Sequence, residues 1–168
     1  MNNKAFTLLE IMVATSIMAI LLTVIMVNYR AYEKKSKLDS ESQKMVSVLK
    51  RAQMMALSGK ETAGSRPEGY GIYFSGNASY FLFGAVNDGN YTYQEGSDIK
   101  IENFNLPANM TMTAKDNGNN INNIVFTLPE AKVYFEGSEG IGDVTITFQS
   151  AGVSNKIVTI KGETGRIE

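Results

Sequence analysis

Residues 5 to 18 read AFTLLEIMVATSIM, and the reading of this stretch decides the rest of the chain. It is apolar on every side except at Glu10. A charged side chain at the centre of a membrane helix costs roughly 2.5–3.5 kcal/mol on insertion scales, so an ionisable group in such a run has a partner and a task. One local task is visible at once. Thr7 and Glu10 stand in the S/T-x-x-E spacing of a capping box, with Phe6 and Ile11 placed to staple across it.

Moving outward, Ile11 to Val27 carries no charge at all. Counted from Phe6, the run extends about 33 Å at helical rise, enough for a hydrocarbon core of roughly 30 Å. Tyr29 and Tyr32 follow, among Arg30, Lys34, Lys35 and Lys37, the aromatic and basic pattern of a membrane boundary. Beyond it the apolar residues become one-sided: Leu38, Met45, Val48, Leu49, Ala52, Met55 and Ala56 recur at spacings of three and four, while Lys37, Asp39, Glu41, Lys44, Lys50 and Arg51 fall mostly elsewhere. All 15 glycines and all 3 prolines lie beyond residue 58. The spacing therefore predicts one helix from Phe6 to Ser58, about 80 Å long, with Gly59 as its stop signal.

After Gly59 the period changes from about 3.6 to 2. GYGIYF (69–74), SYFLFGA (79–85), DIKIEN (98–103), NMTMTA (109–114), NIVFTL (123–128), KVYF (132–135), DVTITF (143–148), KIVTIK (156–161) and GRIE (165–168) read as strands separated by Gly, Asn, Asp and Ser clusters. An antiparallel sheet with one face under the amphipathic half of the helix accounts for both patterns. The expected fold is α+β: a long helix over 6–58 with a transmembrane part over 6–28, and a β-rich head over 59–168. DNGNNINN (116–123) reads as an exposed loop.

Composition narrows the function. Lys+Arg 16 against Asp+Glu 17 leaves a net charge of −1, so no overall field recruits nucleic acid or an anionic substrate. With Cys 0 and His 0, thiolate metal sites, cysteine nucleophiles and the commonest general base are missing. Catalysis would fall on buried carboxylates or lysines converging in a pocket. Asp98, Glu102, Asp116, Glu130, Glu136, Glu139 and Asp143 sit instead mainly at strand ends and loops, so no catalytic residue and no cofactor is expected.

Three readings of the N-terminus compete. A secretory signal peptide would use Lys4 and the apolar run, but NYRAYEKK (28–35) offers no small-residue cleavage site. A plain anchor would use the capping box alone. The third reading comes from a resemblance: MNNKAFTLLEIMVATSIMAILL (1–22) resembles the leader and N-terminal motif of type IV pilins and type II secretion pseudopilins. RAQMMALSGK (51–60), GYGIYF, YFLFGAVNDGNY (80–91) and VTIKGETGRIE (158–168), in that order, are similar to minor pilins and H-type pseudopilins.

The resemblance implies a pilin-like subunit with a leader peptide over 1–5, cut by prepilin peptidase between Ala5 and Phe6, methylated on the new Phe6 amine, and joined to other pilin subunits through the helix by an inner-membrane assembly platform. The family favours Gly where this chain has Ala5, and its major pilins often break the apolar helix with Pro or Gly, absent here. Glu10 would neutralise the N-terminal ammonium of an adjacent subunit, since two charges that both leave water are cheapest when paired. The resemblance also puts the head outside the cytoplasmic membrane and then in an extracytoplasmic filament, whereas one lysine before the span and four cations after it would by themselves leave the head inside.

Other constellations are weaker. Asn87, Asp88, Asn90, Glu95 and Asp98 are oxygen ligands of the kind Ca²⁺ takes, but match no EF-hand spacing. A solvated hairpin turn is the preferred reading, so no metal is expected, with Asp88, Glu95 and Asp98 as the candidates should one bind. The dipeptide at Gly59 and Lys60 lacks the rest of a P-loop. Tyr70, Tyr73, Phe74, Tyr80, Phe81 and Phe83 are expected to pack under the helix rather than form a stacking platform. Lys156, Lys161 and Arg166 would form a basic patch for DNA uptake only if they are more than solvated strand ends. A tip adhesin or DNA-uptake subunit is thus the alternative function, with nucleic-acid binding not expected. Asn77, Asn90 and Asn109 open N-x-S/T triplets.

Overall fold

The computed structural model describes residues 7–86 and 89–168, with residues 27 and 28 described by backbone alone. Helix α1 runs Leu8–Ser58 without a break. No glycine or proline interrupts it, and at 1.5 Å per residue it is about 77 Å long. Gly59 ends it in the left-handed region at φ 56° and ψ 37°. Its N–H bonds the Ala56 carbonyl at 3.2 Å while the Lys60 N–H bonds that of Met55 at 3.3 Å, the paired pattern of a Schellman cap.

Ten strands follow: β1 Gly69–Phe74, β2 Ser79–Ala85, β3 Ile99–Asn105, β4 Met110–Asp116, β5 Asn119–Asn120, β6 Asn123–Thr127, β7 Val133–Phe135, β8 Ser138–Glu139, β9 Asp143–Ser150 and β10 Lys156–Lys161. They form two antiparallel sheets where one was expected, ordered β3-β2-β1-β6-β7-β8 and β10-β9-β4-β5. Helix α1 lies across both, touching β1 and β6 of the larger and β9 and β10 of the smaller. Leu38, Met45, Leu49, Ala52 and Ala56 are fully buried there against Tyr70, Ile72, Leu82, Phe126, Ile146 and Phe148. The smaller sheet alternates strictly, Val144, Ile146 and Phe148 inward between the outward Thr145 and Thr147, as a sheet with one wet face should.

The larger sheet is apolar on both faces, which corrects the expectation that all its aromatics lie under the helix. Tyr70, Phe74 and Tyr80 do. Phe81 and Phe83 point the other way and, with Val125, build a second cluster closed by Tyr73, Tyr91, Tyr93 and Tyr134. In β1 the backbone approaches this cluster so closely that a Cβ on Gly71 would come 2.8 Å from Val125 Cγ2.

Two loop expectations change as well. Asn117 and Gly118, both at positive φ, make the two-residue turn between β4 and β5, the geometry that favours Asn-Gly in hairpins. Ile121 and Asn123 just beyond are buried, so 116–123 is a hairpin tucked into the core edge. GRIE contributes a single bridge, Ile160 to Ile167, rather than a strand.

A candidate assembly site on an uncovered stalk

The two halves of α1 differ sharply in what covers them. Thirteen large apolar side chains between Leu8 and Met26 are 52–78% exposed, whereas Leu38 onward the inner face is buried by the head. Fully burying one such side chain is worth about 1.5–3 kcal/mol, so the uncovered run represents tens of kcal/mol, beyond the 5–15 kcal/mol net stability typical of a whole domain. Residues of this helix have a mean hydropathy of 2.4 over their most apolar window. Something outside the chain must cover it.

The polar groups of this half satisfy themselves. Thr15 Oγ1 donates to the Ile11 carbonyl at 3.0 Å, Ser16 Oγ to Met12 at 2.7 Å and Thr23 Oγ1 to Ala19 at 2.6 Å. Such back-bonding lets hydroxyls enter hydrocarbon without leaving a donor unmet. Glu10 differs. Its Oε2 accepts the Thr7 N–H at 2.9 Å and the Thr7 hydroxyl at 3.0 Å, while the Glu10 N–H bonds Thr7 Oγ1 at 3.3 Å. The capping box is therefore formed. One carboxylate oxygen serves it, and no hydrogen bond to Oε1 is found among the described residues. Ala5 and Phe6, and with Phe6 the proposed staple, lie outside the described residues.

Elsewhere the sequence-level candidates acquire structural jobs. Asp98 Oδ1 accepts the Val86 N–H at 2.9 Å and Oδ2 the Gln94 N–H at 2.7 Å. Val86 and Gln94 are thereby tied to Asp98, and Tyr93 lies over Phe81 and Phe83, so the described part of this segment is not a solvated turn. Glu95 is exposed and 3.9 Å from Lys100 Nζ. Asp88 is outside the described residues, and no group of three metal-ligating side chains gathers among those described. Lys100 spans the cluster rim, 4.9 Å above Phe81, and the hydrogen bond that its ammonium donates to the Tyr93 phenol oxygen holds its pKa up.

The C-terminal cations are each paired: Lys156 with Asp39 at 2.8 Å, Arg166 with Glu168 at 2.9 Å, and Lys161 with Asp143. No free basic stripe remains there for a phosphate backbone. Of the acidic head residues, Glu102 bonds Arg51 of the helix at 2.5 Å, and Glu136 clips Asn123 through its N–H at 3.1 Å and its side-chain amide at 3.0 Å. Sequence reasoning missed Glu136 and Asp98 as backbone clips. The available signal was an acidic residue flanking a polar-to-apolar change, which is not distinctive.

A long helix with a self-satisfied apolar half, one carboxylate near its start and a β-rich head is a pilin-like α+β architecture. The prokaryotic N-terminal methylation motif matches residues 1–26, and this motif is the signature of type IV pilins and pseudopilins. The apolar helix and the motif together fit a membrane-anchored precursor. The motif implies processing by prepilin peptidase and assembly with other pilins, a family of structural subunits rather than enzymes. No curated protein and no solved structure matches the chain.

Proposed function

We propose that this protein is a structural subunit, a minor pilin or pseudopilin, of a type IV pilus, a type II secretion pseudopilus or a competence pseudopilus. The precursor sits in the cytoplasmic membrane with residues 6–28 as its span and the head outside. Prepilin peptidase cuts between Ala5 and Phe6, the Phe6 amine is methylated, and an inner-membrane platform passes the subunit into the filament. There Glu10 pairs with the N-terminal ammonium of a neighbour.

The observation that carries this reading is the uncovered apolar half of α1, with a carboxylate that its own capping box uses through one oxygen only. A bilayer covers the side chains before assembly. In a bundle of stalks the other copies do. The paired cations at Lys156, Lys161 and Arg166 give no support to a DNA-gripping tip.

Intact mass and N-terminal sequencing of the mature protein test the processing. The expected chain starts at a singly methylated Phe6 and, having lost Lys4, carries one positive charge fewer than the −1 precursor, a net −2. Recovery of Met1 in purified filaments would overturn it.

A further inference from the structure

Where α1 leaves its apolar run, the head reaches back down to meet it. The β9–β10 loop descends past the first buried residue, Leu38, and Lys34 Nζ donates to the Ala151 carbonyl at 3.2 Å. Between loop and helix lies an open cleft of about 990 Å³ lined by Tyr32, Lys35, Gly152, Ser154, Asn155 and Lys156. Lys35 makes no ion pair among the described residues. Two neighbouring cations are paired, Lys37 with Glu33 at 2.6 Å and Lys156 with Asp39 at 2.8 Å. Glu33 has its pKa lowered by the Lys37 ammonium bonded to it, so that pair stays charged near neutrality.

Depth gives the cleft its meaning. Lys35 is seven residues beyond Asn28, about 10 Å along the axis, and the polar layer on each side of a bilayer core is about 5–8 Å thick. A lysine side chain bridges that difference by snorkelling toward phosphate depth. The cleft thus opens at the headgroup layer, with a free ammonium, a tyrosine phenol, small polar side chains and a glycine backbone at its walls beside the apolar Ala31 and Val153.

We propose that the cleft between residues 31–35 of the helix and loop 151–156 is a binding site for the phosphate headgroup of an anionic membrane phospholipid, which seats the head on the bilayer before assembly. Lys35 is the principal anion contact. Tyr32, Ser154 and Asn155 supply hydrogen bonds to phosphate or headgroup oxygens, and Lys34 fixes the loop. A subunit entering a filament leaves the lipid behind, so the site acts on the stored precursor. The inference rests on the reading of residues 6–28 as a membrane span.

The test uses the full chain in vesicles of phosphatidylcholine mixed with phosphatidylglycerol, extracted in mild detergent, with the two co-purified lipids quantified. Phosphatidylglycerol should be enriched over its share of the vesicle. A single cation near an anionic surface contributes about fivefold in affinity, so Lys35→Gln should lower the enrichment about fivefold, with Lys35→Arg restoring it. Arg30→Gln, about 7.5 Å nearer the hydrocarbon core and outside the cleft, should cost clearly less, and excess inorganic phosphate should not displace the lipid. Circular dichroism confirms that each variant is folded. No enrichment for the wild type, equal losses for Lys35→Gln and Arg30→Gln, or displacement by free phosphate would each overturn the site. A chain that washes off both vesicle types in alkaline carbonate refutes the span itself, whereas one that stays without lipid preference refutes the site alone.

Discussion

Glu10 has two jobs that a well-chosen pair of substitutions separates. Thr7→Val removes the hydroxyl that accepts the Glu10 N–H at 3.3 Å and donates to Oε2 at 3.0 Å, but leaves the Thr7 N–H on Oε2 at 2.9 Å. Loss of an N-cap hydroxyl costs about 1 kcal/mol, confined here to the first turn of a 51-residue helix. Glu10→Gln does the reverse. Glutamine still serves a capping box, so the helix start is kept while the charge is lost. If a neighbour's ammonium is thereby left unpaired inside an apolar bundle, the cost is about 3–5 kcal/mol, two to three and a half orders of magnitude in the contact. The expected order of incorporation is wild type, Thr7→Val close behind, then Glu10→Gln and Glu10→Ala together far below. Tagged variants expressed beside the wild type, compared in sheared filaments and in the membrane fraction, give that ratio directly. All should remain membrane-bound. If Glu10→Gln enters filaments at the wild-type level, the carboxylate is only a cap and the pairing argument is wrong.

Two further predictions concern the head. Asp98→Asn leaves one side-chain oxygen for two backbone donors, so it should cost about 1.5–3 kcal/mol and speed amide exchange at Val86 and Gln94. Because both Asp98 oxygens are occupied by those amides, chelators should leave the melting temperature unchanged, and a calcium-dependent rise would show that the segment is a metal loop after all. Tyr80 is buried with its hydroxyl unpartnered among the described residues, and burial, then the Glu41 and Glu102 charges, raise its pKa. The folded chain therefore keeps a proton that the unfolded chain releases above about pH 10, so stability from this group holds below that pH and falls above it by up to about 1.4 kcal/mol per pH unit. Tyr80→Phe should remove this alkaline slope and raise stability at pH 7 by about 1 kcal/mol. A destabilised variant with an unchanged slope would refute that account of the phenol.

Much of the architecture was legible because it depends on neighbours in sequence. A run without glycine or proline, a capping box at Thr7 and Glu10, and a glycine at position 59 specify one helix by local backbone chemistry alone. Change of period from helical to alternating marks where the head begins. Seam residues such as Leu38, Met45, Leu49 and Ala52 were visible for the same reason, since a helix face is set by spacing and not by what lies opposite. The motif around Glu10 is likewise a matter of adjacent letters.

Tertiary structure decided whatever depends on partners far along the chain. Alternation tells that a strand has two faces, not which face meets the helix, so Phe81 and Phe83 were placed on the wrong side of their sheet until Tyr91 and Tyr93 were seen to cover them. Division into two sheets follows from β9 pairing with β4 and β10 rather than with β7 or β8, a choice among long-range partners that no local period encodes. Asp98 and Glu136 became backbone clips only when the chain brought amides 12 and 13 residues away to their oxygens. The cleft beside Lys35 exists because loop 151–156 folds down onto residues more than a hundred positions earlier in the chain, 117 between Lys34 and Ala151, and charge in the helix sequence alone could show the cations but not the wall that faces them.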